Sequence, residues 1–582
     1  MGLPLEKAKR LLAATRRSVK ENFRHATLNF LFILLFVNVF QRVFGLENSI
    51  VGVIFTIMMS ASMVRDLTAT PLKHLLIQGA VLMLMAAAAC LVAYVPPLLA
   101  LPINLAMIFI ILYAFTYEYV SQLYFPYILS YLFLVFISPV APDHLPKRLA
   151  GMLVGAACII LYQLFNGRKR IKETARDGLV AMCDKADAVI GDLLDGQAVV
   201  PQPEALRSDL CKISKIVHDR RKKALCISDA SFSMIDAGRG LENLILLFYE
   251  YKTPLTAPDA ALLRRVQVHL TDMRAFLLGD LAVLPPLDKA DFDRSGGAYA
   301  WRFFQCLSYI RTHMLQMTLP EKRGRYRTTP LSLSVRLKAA LNVSPVRVVY
   351  ALRVSCLLAL GTLLVQLLQL PHGKWLLFTM ASVSLPYADD VGKKAKQRLL
   401  ATLLGGAVGV ALFALADAPA VRSALMMASG YLSFYFSDYA ATFACSTVGA
   451  LGGAVLTGAF GWQPVGQLML IRLGYILLGI GIALVANCLL FPFRRKRATR
   501  DLWRKYQSTT ELLTRICRSD GADAQLYYSL VIQAHLLEDK LAQNAKELKW
   551  DGAQEMLARC RQAVRQAHRE RTALAHAGVA SG

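Results

Sequence analysis

Long runs of uncharged, apolar residues recur along the chain and constrain its fold more than any other feature. Each run is about 17–25 residues long, the length that a helix needs to cross a bilayer. Only helices and closed barrels satisfy their backbone groups in lipid, and these runs lack the residue-by-residue alternation of barrel strands. Only 18% of the 582 residues are charged, against about 25% in soluble proteins. The sequence therefore predicts an all-α polytopic membrane protein.

Six spans are predicted on each side of a long polar segment. They are 26–44, 47–64, 75–95, 98–117, 121–140 and 148–166, then 348–370, 374–387, 399–416, 420–436, 440–460 and 467–492. The resulting domains are a basic N-terminus (1–25), a first transmembrane half (26–167), a helical domain (168–345), a second half (346–493) and a helical tail (494–582). Apolar residues recur every three or four positions in the two polar domains, which is typical of helix-bundle cores.

Basic residues flank the apolar runs, and this arrangement decides what the net charge of +26 means. Clusters precede the first run, as EKAKRLLAATRRSVKENFRH, and follow the sixth and twelfth, as GRKRIK and RRKRATR. Such clusters mark the cytoplasmic side of a membrane protein. We therefore expect the lipid bilayer, and no nucleic acid, as the partner of this charge. The clusters place both termini and both helical domains in the cytoplasm.

No residue pattern of an enzyme or a metal centre is present. The sequence contains no G-x4-G-K-[ST] phosphate loop, no HExxH or GxSxG motif and no zinc-ligand spacing. The eleven cysteines include no CxxC pair, which favours reduced packing residues. We expect a protein that is not an enzyme and that uses no cofactor and no metal.

An internal repeat relates the two transmembrane halves. A nearly constant shift aligns Phe55-Thr56 with Phe378-Thr379, Asp66 with Asp389, Arg148 with Arg472, and Gly155 with Gly479. Both halves start on the predicted cytoplasmic side, so the repeat is parallel, with a pseudo-two-fold axis along the membrane normal. Transporter sites often lie at short or interrupted spans of such repeats. The short second and eighth spans fit this pattern, as does the fifth, which Pro126 is expected to interrupt.

The second half contains two stretches that carry a family resemblance, ALRVSCLLALGTLLVQLLQLPHGKWLLFTMASVSLPY and KKAKQRLLATLLGGAVGVALF. They resemble the fusaric acid resistance (FUSC-like) or aromatic acid exporter family of inner-membrane proteins. The family's pattern falls on Arg353, Trp375, Thr379, Pro386, Arg398 and Thr402, with Ala401 where the family has glycine. The resemblance covers roughly residues 350–495 and implies an efflux protein for aromatic or other organic acids. In the first half no tryptophan precedes Phe55, and no arginine corresponds to Arg398.

Six residues are candidates for substrate binding: Arg472, Arg398, Arg353, Trp375, Thr379 and Arg148. Arginine suits a carboxylate because its planar fork binds two oxygens. Arg472 follows apolar residues on the predicted periplasmic side, so it is the arginine most strongly expected inside the membrane, where a charge indicates function. The alternative role of the other arginines is to extend their side chains to the lipid headgroups. The alternative role of Trp375 is to anchor the protein at the membrane interface as part of an aromatic belt.

Asp389 and Asp66 are the candidates for proton coupling, because the repeat matches them in both halves. A carboxyl group in apolar surroundings has a raised pKa and can exchange protons. The alternative is a salt bridge to the neighbouring lysines.

Together with the resemblance, the sequence predicts an efflux transporter of a bacterial inner (plasma) membrane. Its expected substrates are organic acids, with aromatic carboxylic acids as the expected class, and its expected energy source is the proton-motive force. An organic-anion channel is one alternative, because plant aluminium-activated malate transporters look distantly similar in their spans. A membrane scaffold or sensor built around the helical domains is another. The expected partners are an organic acid substrate and the bilayer. The sequence leaves open whether the protein also forms a homo-oligomer or binds a periplasmic adaptor.

Overall fold

The computed structural model describes residues 3–62, 71–116, 123–219, 227–251, 254–294, 297, 299–324, 344–416, 418–436, 438–455, 462–489, 492–519 and 524–580. This part of the chain is almost entirely helical and contains no strand. The chain divides into two compact units. The membrane unit comprises Met1–Val64, Leu72–Leu161 and Ser344–Arg495, and the polar unit comprises Arg65–Pro71, Tyr162–Val343 and Lys496–Gly582.

Twelve helices in the described residues correspond one to one with the predicted spans. They are α1 (Leu3–Phe44), α2 (Ser49–Ser62), α3 (Pro71–Tyr94), α4 (Pro97–Phe115), α5 (Tyr124–Phe136), α6 (Leu145–Leu194), α13 (Pro345–Leu367), α14 (Lys374–Val383), α15 (Ala388–Leu415), α16 (Pro419–Leu432), α17 (Tyr439–Val455) and α18 (Trp462–Leu489). Several begin with proline, which is preorganised for a first turn where no amide donor is needed. Helices are numbered in chain order over the described residues only.

Nine further described helices lie in the polar domains of the sequence. They are α7 (Pro203–Asp219), α8 (Asp229–Phe248), α9 (Ala257–Leu278), α10 (Lys289–Asp293), α11 (Ala300–Thr318), α12 (Pro320–Gly324), α19 (Arg495–Arg518), α20 (Ala524–Leu548) and α21 (Ala553–Ala580). Side chains cap three of them, because Ser228 accepts from the Ser231 amide, Thr256 from the Asp259 amide and Asp288 from the Ala290 amide.

Seven described helices are long and apolar enough to cross a membrane, and four shorter apolar helices accompany them. The prediction of an all-α polytopic membrane protein is confirmed. The short spans are also short helices, since α2 has 14 residues and α14 has 10. The prediction that Pro126 interrupts the fifth span is wrong, because α5 continues through this residue. Pro126 lies in the first turn, where a proline removes no intrahelical hydrogen bond.

Small residues bring the helices of the membrane unit into close contact. A Cβ atom on Gly405 would lie 2.3 Å from the Ala444 carbonyl oxygen, so α15 and α17 touch through their backbones. A Cβ on Gly406 would overlap the side chain of Met469 on α18. Such contacts are the expected role of small residues between membrane helices. They fix α15 between α17 and α18, which is where the candidate site lies.

The aligned positions of the sequence repeat form equivalent helix pairs. In the first half Gly155 of α6 lies against the ring of Phe55 on α2. In the second half Gly479 of α18 lies against Thr379 and the Leu376 carbonyl on α14. The two short helices therefore pack on glycines at repeat-related positions. The parallel repeat of whole halves, the domain boundaries and the cytoplasmic placement stay predictions.

A network of buried charges joins α7, α8, α20 and α21 in the polar unit. Arg207 donates to both carboxylate oxygens of Glu538, at 2.9 and 3.1 Å from Nε, and to Glu242 at 3.2 Å. Arg561 donates to Glu538 at 2.5 Å and to Glu204 at 2.6 Å. Since each buried charge has an opposite partner, the network holds the four helices in one register.

Candidate functional site

Arg472 is a buried arginine with incomplete hydrogen bonding. It lies ten residues into the 28-residue helix α18, about 15 Å from the helix start. Its side chain is 5% exposed, and among the described residues Nε and Nη1 have no hydrogen-bond partner. The guanidinium carbon lies 5.0 Å from the centre of the Trp375 ring, which is a cation–π distance. The arginine that was most strongly expected inside the membrane is therefore buried in the bundle.

A strained turn presents Trp375 to this arginine. His372 adopts a φ of 59°, which is unfavourable for a residue with a side chain. Its imidazole ring stacks on the indole at 4.8 Å with an interplanar angle of 13°. Trp375 is 5% exposed, so the ring contributes to the interior of the unit and not to its outer surface. Backbone strain of this kind is often found at functional sites.

Arg398 forms a second arginine–aromatic pair, between α15 and α17. It is also buried, and its Nε and Nη1 have no hydrogen-bond partner among the described residues. The guanidinium carbon lies 4.3 Å from the centre of the Phe443 ring. One turn earlier on each helix, the Lys394 ammonium lies over the Tyr439 ring, which packs on Phe443 at 4.3 Å. Two cations on α15 thus face two aromatic rings on α17.

Arg398 on α15 and Arg472 on α18 lie on two helices that pack against each other. Each occupies the eleventh position of its 28-residue helix, and these helices run in opposite predicted directions. Starting from the Gly406–Met469 contact, a rise of 1.5 Å per residue places the two arginines about 8 Å apart along the bundle axis. Two like charges therefore share the middle of the membrane unit.

Other candidate arginines are held by backbone carbonyl groups. Arg148 donates to the carbonyl oxygens of Glu47 and Ser138, at 2.9 and 3.1 Å. Arg353 donates through Nη2 to the carbonyl oxygens of Leu385 and Pro386, at 2.6 and 3.2 Å. These contacts satisfy carbonyl groups of the connecting segments, which buried backbone requires. They give Arg148 and Arg353 carbonyl partners that Arg472 does not show. Among the described residues Nε of Arg148, and Nε and Nη1 of Arg353, also have no hydrogen-bond partner.

Thr379 points its hydroxyl group back along its own helix. The Oγ1 atom donates to the Trp375 carbonyl at 2.8 Å, a common arrangement for a buried threonine in a helix. The side chain also contacts Gly479 of α18. Thr379 is therefore placed between α14 and α18, next to the arginine–tryptophan pair.

The proton-coupling candidate Asp389 is exposed, at the start of α15. Its carboxylate accepts a hydrogen bond from the Arg495 amide at 2.7 Å, and Asp390 pairs with the Arg495 side chain. The anticipated alternative was a salt bridge to neighbouring lysines, whereas the observed partner is this distant arginine. The other candidate, Asp66, lies outside the described residues.

Sequence reasoning missed Tyr439 and Phe443 as members of the site. The available signal was spacing, because two aromatic residues four positions apart match Lys394 and Arg398, also four apart, on a neighbouring helix. The described residues contain no cluster of histidine, cysteine and acidic side chains that could hold a metal ion.

Residues 358–486 match a protein family described as fusaric acid resistance protein-like. The match includes Trp375, Arg398, Phe443 and Arg472, and it confirms the predicted FUSC-like resemblance over this segment. No curated protein and no solved structure matches the chain. The matched segment and the apolar helices together support a multi-pass membrane protein of a transporter or efflux family.

Proposed function

We propose that this protein exports organic acids, mainly aromatic carboxylates, across the bacterial inner membrane. The observation that carries the proposal is the buried Arg472 guanidinium, which has two nitrogens without a hydrogen-bond partner among the described residues. A charge inside a membrane bundle is costly unless an opposite charge or acceptor accompanies it. An anionic substrate would supply that partner during transport.

Aromatic side chains favour an aromatic acid over other anions. Trp375 lies beneath Arg472, and Phe443 lies beneath Arg398. Rings at these positions offer stacking surfaces next to each cation. The family match supports the same substrate class, because the family is named for resistance to an organic acid.

The proton-motive force is the proposed energy source. Its electrical component suffices in principle, since moving one charge across the membrane is worth about 2.3 kcal/mol per 100 mV. An anion leaving a negatively charged cytoplasm moves in the favourable direction. The proposal therefore needs no buried carboxyl group, and proton transfer by Asp389 or Asp66 is a separate hypothesis.

The test is flux through the purified full-length protein in liposomes. An imposed potential, negative on the side that corresponds to the cytoplasm, should drive efflux of benzoate, and Arg472→Gln should reduce its initial rate at least about tenfold. Arg24→Gln removes the same charge at an exposed position of α1 and should leave the rate unchanged. Absence of flux across a broad panel of organic acids, with the protein folded, would refute the proposal. Single-channel currents would identify an organic-anion channel instead.

A further inference from the structure

We propose that Arg398 and Arg472 bind one carboxylate group together, so that each chain has a single anion site inside its second half. This inference rests on the proposed function and specifies where the substrate charge binds. It differs from the symmetric expectation of the repeat, in which each half would contribute an equivalent site.

The electrostatics of the pair support a shared anion. Both arginines are 5% exposed, and both have Nε and Nη1 without partners among the described residues. Lys394 adds a third positive charge one turn from Arg398. The nearby Asp438 carboxylate accepts from the amides of Ala440 and Ala441 at 2.8 and 3.2 Å, so it caps α17. An anion between the arginines would relieve their mutual repulsion and accept their unused hydrogen bonds.

The geometry allows both side chains to reach one carboxylate. The two residues are about 8 Å apart along the bundle axis, by the helix rise from the Gly406–Met469 contact. Each guanidinium has an aromatic ring on one face, which leaves its edge for hydrogen bonds. A carboxylate has two oxygens and about four acceptor positions, which is enough for two arginines.

The first half lacks the same arrangement. The repeat places Gly52 and Leu75 where the second half has Trp375 and Arg398. Arg148, the counterpart of Arg472, donates instead to carbonyl groups of Glu47 and Ser138. No equivalent pair of cations with unused donors can therefore form from these positions, and the anion site is confined to the second half.

The test uses binding to the full-length protein in detergent, with benzoate as the probe and benzamide as its neutral control. Benzoate should raise the melting temperature and bind once per chain by equilibrium dialysis, whereas benzamide should do neither. Arg398→Gln and Arg472→Gln should each weaken benzoate binding by about tenfold to a hundredfold. The double variant should lose little more than either single variant, because both residues hold the same group.

A second readout separates binding from folding. Replacing either arginine removes a buried charge that has no acidic or hydrogen-bonding partner at Nε and Nη1 among the described residues. The ligand-free melting temperature should therefore stay the same or rise. Arg148→Gln removes hydrogen bonds to carbonyl groups and should lower the ligand-free melting temperature. Arg24→Gln should change neither the melting temperature nor benzoate binding.

Two results would overturn the inference. One is benzoate binding retained in Arg398→Gln, and the other is two bound molecules per chain with losses that add in the double variant. If the wild type transports acids but shows no benzoate binding at this site, the shared site is wrong and the exporter proposal stands. If the wild type moves no acid at all, the proposed function fails.

Discussion

The carboxylate of Asp390 accepts two hydrogen bonds from Nη2 of Arg495, at 2.7 and 2.5 Å, and so joins the start of α15 to the start of α19. The backbone amide of the same arginine donates to Asp389 at 2.7 Å. The Arg495 guanidinium also lies 4.9 Å from the Tyr387 ring. Two adjacent acidic residues, which the sequence placed among lysines, are thus both partners of one arginine far along the chain.

Replacement of Asp389 tests its two possible roles. Asp389→Asn keeps an oxygen acceptor for the Arg495 amide, so we expect transport and its dependence on the proton gradient to persist. The measurement is benzoate flux in liposomes at several imposed pH gradients, with Asp390→Asn as the matched neighbour. Loss of the pH dependence in Asp389→Asn alone would show that this carboxyl group carries the proton.

Removal of the indole ring should weaken substrate binding. Trp375→Leu deletes the cation–π partner of Arg472, worth about 1–2 kcal/mol when desolvated, so the KM for benzoate efflux should rise about tenfold. Trp375→Phe retains a ring and should have a smaller effect. Trp301→Leu, at a ring that is 49% exposed in the polar unit, is the control. Unchanged kinetics in Trp375→Leu would exclude the ring from the site.

Addition of one methyl group at Gly405 should destabilise the membrane unit strongly. The new Cβ would lie 2.3 Å from the Ala444 carbonyl oxygen, and backbone cannot move aside as a side chain can. We expect Gly405→Ala to cost about 2 kcal/mol or more. Gly430→Ala offers a matched control, because nothing lies within 4 Å of its Cβ position. Equal melting temperatures of the two variants in detergent would contradict the close contact of α15 with α17.

Acidification should loosen α7 and α20 in the polar unit. Burial, with the nearby charges of Arg207, Arg239 and Arg561, holds the pKa of His535 well below its ordinary value. Below about pH 6.5 the unfolded state gains a proton that folded His535 does not. Stability should therefore fall with decreasing pH, by up to about 1.4 kcal/mol per pH unit for this residue.

Hydrogen exchange of α7 and α20 between pH 7 and 5.5, corrected for intrinsic rates, measures this effect. His535→Gln should reduce the pH dependence, while His313, whose pKa burial also lowers, keeps part of it. Glu538 acts at lower pH. Burial alone would raise its pKa, but the charges and hydrogen bonds of Arg207 and Arg561 hold it below its ordinary value. A slope that His535→Gln does not alter would assign the effect to other groups.

The helices of the membrane unit could be predicted from the sequence because hydropathy alone determines where a chain can cross lipid. The prediction failed at Pro126, since composition does not show which residue starts a helix. The sequence favours Arg472 over Arg148 as an arginine inside the membrane, but it does not show what either side chain contacts. Both occur in the same R-L-x5-G element. Only the folded structure shows that backbone carbonyl groups accept hydrogen bonds from Arg148.

The site was predicted only in part, because the sequence does not show which side chains meet across two helices. Arg472, Arg398 and Trp375 were named from their residue types and the family resemblance, and the structure brings each arginine to an aromatic ring. Phe443 and Tyr439 were missed because their partners lie on another helix. Spacing within one helix can be read from the sequence, but the choice of which helices become neighbours depends on packing such as the Gly405–Ala444 contact.

The unpaired nitrogens of Arg398 and Arg472 have a practical consequence for anyone who purifies this protein. A preparation without an anion would be its least stable form, because among the described residues no acceptor pairs with Nε and Nη1 of the two buried arginines. A bound acid at a hundred times its dissociation constant would add about 2.7 kcal/mol of stability. The anion of the buffer, usually chosen for convenience, would then determine shelf life, crystallisation behaviour and the baseline of every binding assay.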